Sequence, residues 1–160
     1  MRTLILALGT LAVSLVLGAL PAWAEPKDER GCTSSDYAAT STRVEGLKSL
    51  AERGNVDAQF ELGFMYGTGF CGPQDYAKAV YWYSQAAEKM HVVSQSILGW
   101  MYEEGHGVAQ DYVQAHMWYN IASAQGHEPA SKYRDRLSKK MPASQIAEAQ
   151  KMAREWRPRK

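Results

Sequence analysis

The sequence has 160 residues, of which 46% are hydrophobic and 22% charged, and its 18 Lys and Arg residues nearly balance its 17 Asp and Glu residues. This composition is that of an ordinary globular protein, and it excludes collagen-like, low-complexity and highly charged chains. The length suffices for one domain with a modest core and leaves no room for a large multidomain enzyme.

The first 24 residues have the pattern of a secretory signal peptide. Arg2 precedes an uncharged, mostly apolar run from Leu4 to Leu20, and the small residues Ala22 and Ala24 follow. A basic start, a short apolar region and an Ala-x-Ala ending are typical of a signal that is removed. We therefore expect cleavage after Ala24 and a periplasmic or secreted location. The alternative is a membrane anchor, for which this run is short.

Charge is unevenly distributed over the remaining chain. Residues 25–130 contain 7 basic and 14 acidic residues, whereas residues 131–160 contain 10 basic and 3 acidic residues. The basic end either attracts an acidic partner or an anionic surface, or it is the solvated face of terminal helices.

A shift of 36 positions aligns residues 58–89 with residues 94–125 without a gap, and 13 of the 32 pairs are identical. A repeat of this length indicates a duplicated structural unit. Small, apolar and aromatic residues dominate the identical pairs, so we assign them to packing and turns. The structural repeat residues are Leu62, Gly63, Tyr66, Gly69, Asp75, Ala79, Trp82 and Tyr83 in the first unit, and Leu98, Gly99, Tyr102, Gly105, Asp111, Ala115, Trp118 and Tyr119 in the second.

Each unit is predicted to be a helical hairpin. Apolar residues recur at helical spacing in both halves of the unit. Gly69 and Gly105 fall where a helix C-terminus needs a positive φ, and Asp75 and Asp111 fall where they can cap the second helix.

Gly63 and Gly99 lie in the middle of the first helix of each unit, where glycine costs about 1 kcal/mol relative to alanine. A cost that recurs in both units suggests that a large ring or a neighbouring helix approaches the backbone there. Trp82 and Trp118 are the candidates that we favour.

Incomplete copies of the unit flank the two full ones. An imperfect helix from about Asp36 to Arg53 precedes them, and two further helices follow that cover the last apolar face of a stacked array. The predicted organisation is a signal peptide over residues 1–24, a flexible segment over 25–35 and a repeat domain over 36–160. Within that domain lie a partial repeat at 36–57, full repeats at 58–93 and 94–129, and a C-terminal cap at 130–157.

The second full unit carries a recognisable motif between residues 98 and 126. In order, it contains Leu98-Gly99-Trp100-Met101-Tyr102, Gly105, Asp111-Tyr112, Ala115, Trp118-Tyr119 and Gly126. This segment resembles a Sel-1-like repeat, the tetratricopeptide-related motif of about 36 residues. The segment 62–87 is similar, but Cys71-Gly72-Pro73 replaces Gly107-Val108-Ala109 in its turn. The resemblance extends over roughly residues 45–157. It implies an all-α, right-handed α/α solenoid of helical hairpins with C-terminal capping helices, whose first helices line a concave, partner-binding face.

Cys32 and Cys71 are the only cysteines, and each lies just ahead of a predicted second-type helix in successive hairpins. Such positions are neighbours in a stacked array, and an exported protein meets an oxidising compartment. A disulfide that staples the imperfect first helix to the first full repeat is therefore expected. Two free thiols are the alternative.

A second stripe on the first helices faces away from the repeat's own core. The candidate partner-binding residues on it are Phe60, Glu61, Phe64, Val93, Ile97, Trp100 and Glu104. Exposed aromatic rings of this kind either anchor a bound protein segment or are covered within the chain by adjacent repeats or by the basic terminal helices.

The sequence does not indicate catalytic residues, a metal site or a cofactor. No two of the four histidines have the i, i+4 spacing of a helical metal site, and His91 and His127 occupy equivalent repeat positions. Gly67-Thr68-Gly69 and Gly105-His106-Gly107 each follow a helix and are expected to be turns rather than phosphate loops.

We therefore expect a non-enzymatic, exported scaffold that binds another protein, with no nucleic-acid partner and no stable membrane span after signal cleavage. The alternative is a cell-envelope module that binds or hydrolyses peptidoglycan fragments. Secretion towards a host as an effector is a third option.

Overall fold

The computed structural model describes residues 26–159, and the expected signal segment lies outside the described residues. Between residues 26 and 159 the chain forms seven α-helices and no strand, which confirms the all-α prediction. The helices are α1 (Ser34–Glu52), α2 (Val56–Thr68), α3 (Tyr76–Glu88), α4 (Val92–Glu104), α5 (Tyr112–Ala124), α6 (Glu128–Ser138) and α7 (Ala143–Glu155).

The helices stack in chain order. Each helix from α1 to α5 packs against the one that follows it, and α7 folds back onto α5. Helices α2 and α3 form the first full hairpin and α4 and α5 the second, while α1 takes the place of the second helix of a preceding unit. The result is a solenoid of helical hairpins in which each unit contacts its neighbours.

The turn inside each hairpin has the predicted chemistry. Gly69 and Gly105 follow the last residues of α2 and α4 in the left-handed conformation, with φ of 61° and 74°. The carboxylates of Asp75 and Asp111 accept hydrogen bonds from backbone amides of α3 and α5. These caps satisfy helix ends that would otherwise lack partners.

A second set of caps recurs every 36 residues at the start of the first helices. Asn55, His91 and His127 begin α2, α4 and α6, and each side chain accepts a hydrogen bond from the backbone amide three residues later. Burial lowers the pKa of His91, which favours the neutral ring that can accept at Nδ1. The equivalence of His91 and His127 therefore has a structural cause.

The two tryptophans of the repeat lie in matching interiors. Trp82 packs in a cluster that includes Ala51 and Leu62, and Trp118 packs in one that includes Leu98 and Ala87, the residue one period after Ala51. Both indoles are buried. In addition, Trp156 makes an edge contact with Trp118 at a ring-centroid distance of 5.9 Å, so α7 caps the last interior.

The prediction that the tryptophans approach the mid-helix glycines is wrong. A Cβ atom at Gly63 would lie 2.7 Å from the ring of Tyr83, and one at Gly99 would lie 2.5 Å from the ring of Tyr119. The residue after each tryptophan makes the contact, because α3 and α5 are rotated so that the tyrosine points at the first helix of its own hairpin. Glycine is therefore required in both first helices by close packing.

Cys32 and Cys71 form a disulfide, with Cα atoms 5.6 Å apart, as predicted. Around it, residues 28–33 are anchored, although we expected a flexible segment up to residue 35. The guanidinium of Arg30 donates to the carbonyl oxygens of Gly69 and Gly72 at 2.8 and 3.1 Å. The N-terminal segment is thus bound to the turn of the first hairpin.

The basic C-terminal end is partly neutralised within the chain. Arg136 and Lys140 approach the carboxylate of Glu103 at 3.0 and 3.6 Å, and Arg159 approaches that of Glu88 at 3.0 Å. These pairs join the cap to α4 and α3, so part of the charge asymmetry along the sequence serves to hold the cap in place.

Candidate protein-binding surface

The seven side chains predicted to bind a partner do not all reach the surface. Phe64, Val93 and Trp100 are 50%, 37% and 39% exposed, respectively, and Glu104 is also exposed. Phe64 lies on α2 and the other three lie on α4. Together these residues, which we call the exposed stripe, are the part of the prediction that the structure leaves accessible.

Phe60 and Ile97 lie at the edge of the core instead. The ring of Phe60 packs against the rings of His91 and Tyr83 at centroid distances of 4.6 and 5.9 Å, and Ile97 packs against the same cluster of buried residues as Phe60. Sequence periodicity placed both on the outward face, but the neighbouring hairpin covers them.

Glu61 is half-buried and pairs with the guanidinium of Arg43 on α1. The pair bridges the side of α2 to the imperfect first helix. Because it is largely solvated, its contribution to stability is small, about 0–1 kcal/mol. Its carboxylate is available to a partner only in competition with Arg43.

The terminal helices do not cover the exposed stripe. Both α6 and α7 pack against α5, the second helix of the second hairpin. The apolar side chains by which α7 is attached, Met152, Ala153 and Trp156, join the cluster built around Leu98 and Trp118. The structure therefore does not support the alternative in which the basic C-terminal helices cover Phe64 and Trp100.

Trp100 is held by the turn of its own hairpin. Its ring packs against His106 at 4.8 Å, and His106 stacks on Tyr76 of α3 at 4.7 Å with an angle of 9° between the rings. The turn reaches α3 because Gly107 has a φ of 73° and no side chain, since a Cβ atom there would lie 2.3 Å from the carbonyl oxygen of Tyr76. The second turn thus fixes the position of the exposed indole.

Phe70 is an exposed aromatic residue that the sequence analysis missed. It occupies the repeat position of His106 and is 65% exposed. Phe70 and Phe64 line the same cleft between α1 and α2, with a volume of about 210 Å³. The signal available in the sequence was a large ring placed between Gly69 and Cys71, in a turn that the disulfide holds.

The two adjacent glutamates at the end of α4 have different environments. Glu103 is buried, accepts a hydrogen bond of 2.9 Å from the Tyr119 hydroxyl and pairs with Arg136. Glu104 is exposed. Neighbouring helical residues point in different directions, so the two carboxylates do not act as a pair of acids.

Among residues 26–159, no group of three or more His, Cys, Asp or Glu side chains is arranged to hold a metal ion. In the same part of the chain, no helix is long and apolar enough to cross a lipid bilayer.

Comparison with known proteins identifies the repeat. The family model described as Sel1 repeat matches residues 56–89 and 92–127. These two matches contain the hairpins α2–α3 and α4–α5 and extend to the start of α6. No curated protein matches the sequence.

Two solved structures share the fold. The chain is 33% identical to c5321, a protective antigen present in uropathogenic Escherichia coli strains and described as displaying an SLR fold. The match has a TM-score of 0.67 and covers 70% of this chain and 24% of that one. The chain is 30% identical to a Sel1 repeat protein from Oxalobacter formigenes, with a TM-score of 0.56, covering 63% of this chain and 42% of that one. It therefore spans less than half of either relative.

Proposed function

Because the chain belongs to the Sel1-like repeat family, we propose that it is an exported scaffold that binds another protein through the first helices of its repeats. Sel1 repeats are protein-interaction modules, and the packed interior of this one uses its shared residues for structure. The surface proposed for binding is the exposed stripe of α2 and α4, on the concave side that the resemblance implies.

The observation that carries the proposal is the exposure of Phe64, Val93 and Trp100 on neighbouring first helices. A stable helical array normally buries large rings, yet Phe64 and Trp100 are exposed at the same repeat position of successive first helices. Apolar surface that is exposed in this way is a candidate interaction site. The C-terminal helices, which could have covered these rings, pack against α5. Trp100 is also held by His106, and a ring fixed in this way loses little conformational entropy when it binds.

The export part of the proposal is supported by two independent features. Residues 1–24 have the signal-peptide pattern, and Cys32 and Cys71 form a disulfide, a bond that persists in oxidising compartments. In a Gram-negative host this corresponds to the periplasm. N-terminal sequencing of protein from the periplasmic fraction is expected to begin at Glu25, and full-length chain retained in the cytoplasm would contradict export.

Photo-crosslinking tests the binding surface. A photoreactive amino acid at position 64 or 100 of the full chain is expected to attach to a discrete protein in native cell envelopes. The matched control is position 81, because Tyr81 is an aromatic residue that is 56% exposed on the second helix α3.

Three outcomes contradict the proposal. The same products from position 81 would mean that the surface is not selective. Attachment to glycan strands, competed by soluble muropeptides and without any protein, would instead favour the peptidoglycan-binding alternative. Absence of any product from positions 64 and 100, when position 81 gives one, would place the interface elsewhere.

A further inference from the structure

A pocket of about 240 Å³ opens at the junction of α2, α3 and α4. Tyr83, Tyr76 and Trp100 supply its aromatic walls, Ile97 and Met101 supply aliphatic surface, and Gly67 lies at the end of α2. None of the residues that line this pocket is charged. It lies next to the exposed stripe, with which it shares Trp100.

The same junction one period later is filled. Gly67, Tyr83 and Trp100 correspond by the 36-residue shift to Glu103, Tyr119 and Arg136. At that later junction the Glu103 carboxylate accepts from the Tyr119 hydroxyl at 2.9 Å and pairs with Arg136. A carboxylate and a guanidinium thus occupy the position that is open between the two full repeats.

The first junction has the aromatic hydroxyl but not its partner. Tyr83 is only 4% exposed. Within residues 26–159 its hydroxyl makes no hydrogen bond. A Cβ atom at Gly67 would lie 4.0 Å from that hydroxyl and no closer than 3.5 Å to any other atom. Gly67 therefore leaves space in front of the Tyr83 hydroxyl, which opens into the pocket without a hydrogen bond to another described residue.

The surroundings of the pocket favour a positive occupant. Gly67 and Thr68 are the last residues of α2, and Met101 begins the last turn of α4, so the pocket lies near two helix C-termini, which carry partial negative charge. Glu104 lies one turn after Trp100 and is exposed. Residues 25–130 as a whole contain 14 acidic and 7 basic residues.

We propose that this pocket receives a lysine or arginine side chain of the partner protein, with its cationic group against the parts of the Trp100 and Tyr76 rings that line the pocket and its donor directed to the Tyr83 hydroxyl. Cation–π contacts with Trp and Tyr stabilise such a group, and its aliphatic stem packs against Ile97 and Met101. An acidic side chain would find no cation in the lining, and a purely apolar one would separate the Tyr83 hydroxyl from solvent without supplying a hydrogen bond in its place. This inference rests on the proposed function, because it names the chemistry of the partner.

The test uses the full mature chain and peptides of the form acetyl-Gly-Ser-Gly-X-Gly-Ser-Gly-amide, in which X is lysine, arginine, norleucine or glutamate. NMR titration into the millimolar range follows the indole resonance of Trp100. The lysine and arginine peptides are expected to bind about fivefold more tightly than the norleucine and glutamate peptides.

Three variants locate the binding. Gly67→Leu fills the pocket and is expected to abolish the Trp100 shift, whereas Gly67→Ala, whose methyl group makes only ordinary contacts, is expected to retain it. Tyr83→Phe preserves the ring against Gly63 and is expected to weaken lysine binding about threefold. A dispersed amide spectrum for each variant establishes that it is folded.

The inference is overturned if the norleucine or glutamate peptide binds as tightly as the lysine peptide, if Gly67→Leu leaves the titration unchanged, or if none of the peptides shifts the Trp100 resonance. These results are separate from those of crosslinking. A protein attached at position 64 or 100 without selective peptide binding would leave the scaffold function standing and remove only the pocket. Selective peptide binding without any crosslinked protein would support the pocket's preference for cations and contradict the scaffold function.

Discussion

The hydroxyl of Tyr119 donates a hydrogen bond of 2.9 Å to the buried carboxylate of Glu103. The carboxylate also receives Arg136 from α6 at 3.0 Å, so one side chain of α4 joins the second helix of its own hairpin to the cap. Burial, together with the charge of the adjacent Glu103 carboxylate, raises the pKa of Tyr119, and the hydroxyl remains a donor over the whole physiological range. The contact therefore functions as a structural connection between the last repeat and the C-terminal helices.

Glu103→Ala is expected to lower the free energy of unfolding by about 1–3 kcal/mol, because it leaves the buried Tyr119 hydroxyl without an acceptor. Urea denaturation measures the change. Glu104→Ala is the matched control, since Glu104 is exposed, and its effect should stay within about 0.5 kcal/mol. In the double variant Glu103→Ala, Tyr119→Phe, the loss should be less than the sum of the single losses. Additive losses would show that the two groups are not coupled.

Loss of the disulfide is expected to destabilise the first repeat. A bond that closes a 39-residue interval restricts the unfolded chain and contributes about 4 kcal/mol in the chain-entropy model. The variant Cys32→Ala, Cys71→Ala should therefore unfold at lower urea concentration than the oxidised protein. Reductant should shift the natural chain to a similar midpoint and leave the variant unchanged. If reductant shifts both equally, the bond is not the cause.

The sequence was sufficient to predict features that depend on spacing along one helix or one turn. Three such features are local or follow from the repeat period. They are the glycines that end α2 and α4, the aspartate caps of α3 and α5, and the pairing of Cys32 with Cys71. The sequence favoured the disulfide on two grounds, the position of both cysteines ahead of second-type helices and the expected oxidising compartment, and it left two free thiols as the alternative.

Features that depend on how helices rotate against each other could not be predicted. Trp82 and Tyr83 are adjacent aromatic residues, and a helix rotation of one residue decides which of them contacts Gly63. The burial of Phe60 depends on His91 of the next unit, and that of Glu103 depends on Tyr119 and Arg136. The accessible part of the candidate surface was therefore smaller than the helical stripe suggested, and Phe70 was missed because it lies in a turn.

Gly99→Ala tests the close approach of Tyr119. The added Cβ atom would lie 2.5 Å from two ring atoms, so we expect a loss of about 1–3 kcal/mol from overpacking, despite the helix propensity that alanine gains. Gly46→Ala on α1 is the control, because nothing lies within 4 Å of its Cβ position. It should stabilise the protein by up to about 1 kcal/mol. Thermal unfolding that shows the same sign for both variants would contradict this packing.

The hydrogen bonds of His116 require a neutral ring. Ser138 donates its only proton to the carbonyl oxygen of Arg134 at 2.9 Å, so its oxygen accepts from Nε2–H of His116 at 3.0 Å. Nδ1 is then the acceptor of the Asn120 amide at 3.0 Å. Burial, reinforced by the charge of Arg134 and opposed by Asp135, lowers the pKa of His116 below its ordinary 6.5.

The protein is therefore expected to lose stability as the pH falls below about 6.5, because the unfolded state then binds a proton that the folded ring does not. The loss continues down to the pKa of the folded state, and each unit between the two pKa values contributes about 1.4 kcal/mol. Urea denaturation at a series of pH values from about 7.5 to 5 measures the slope. His116→Gln removes this titration and should flatten the dependence, leaving the part due to His91, whose pKa burial also lowers. If the slope of the variant equals that of the natural chain, His116 is not the group responsible.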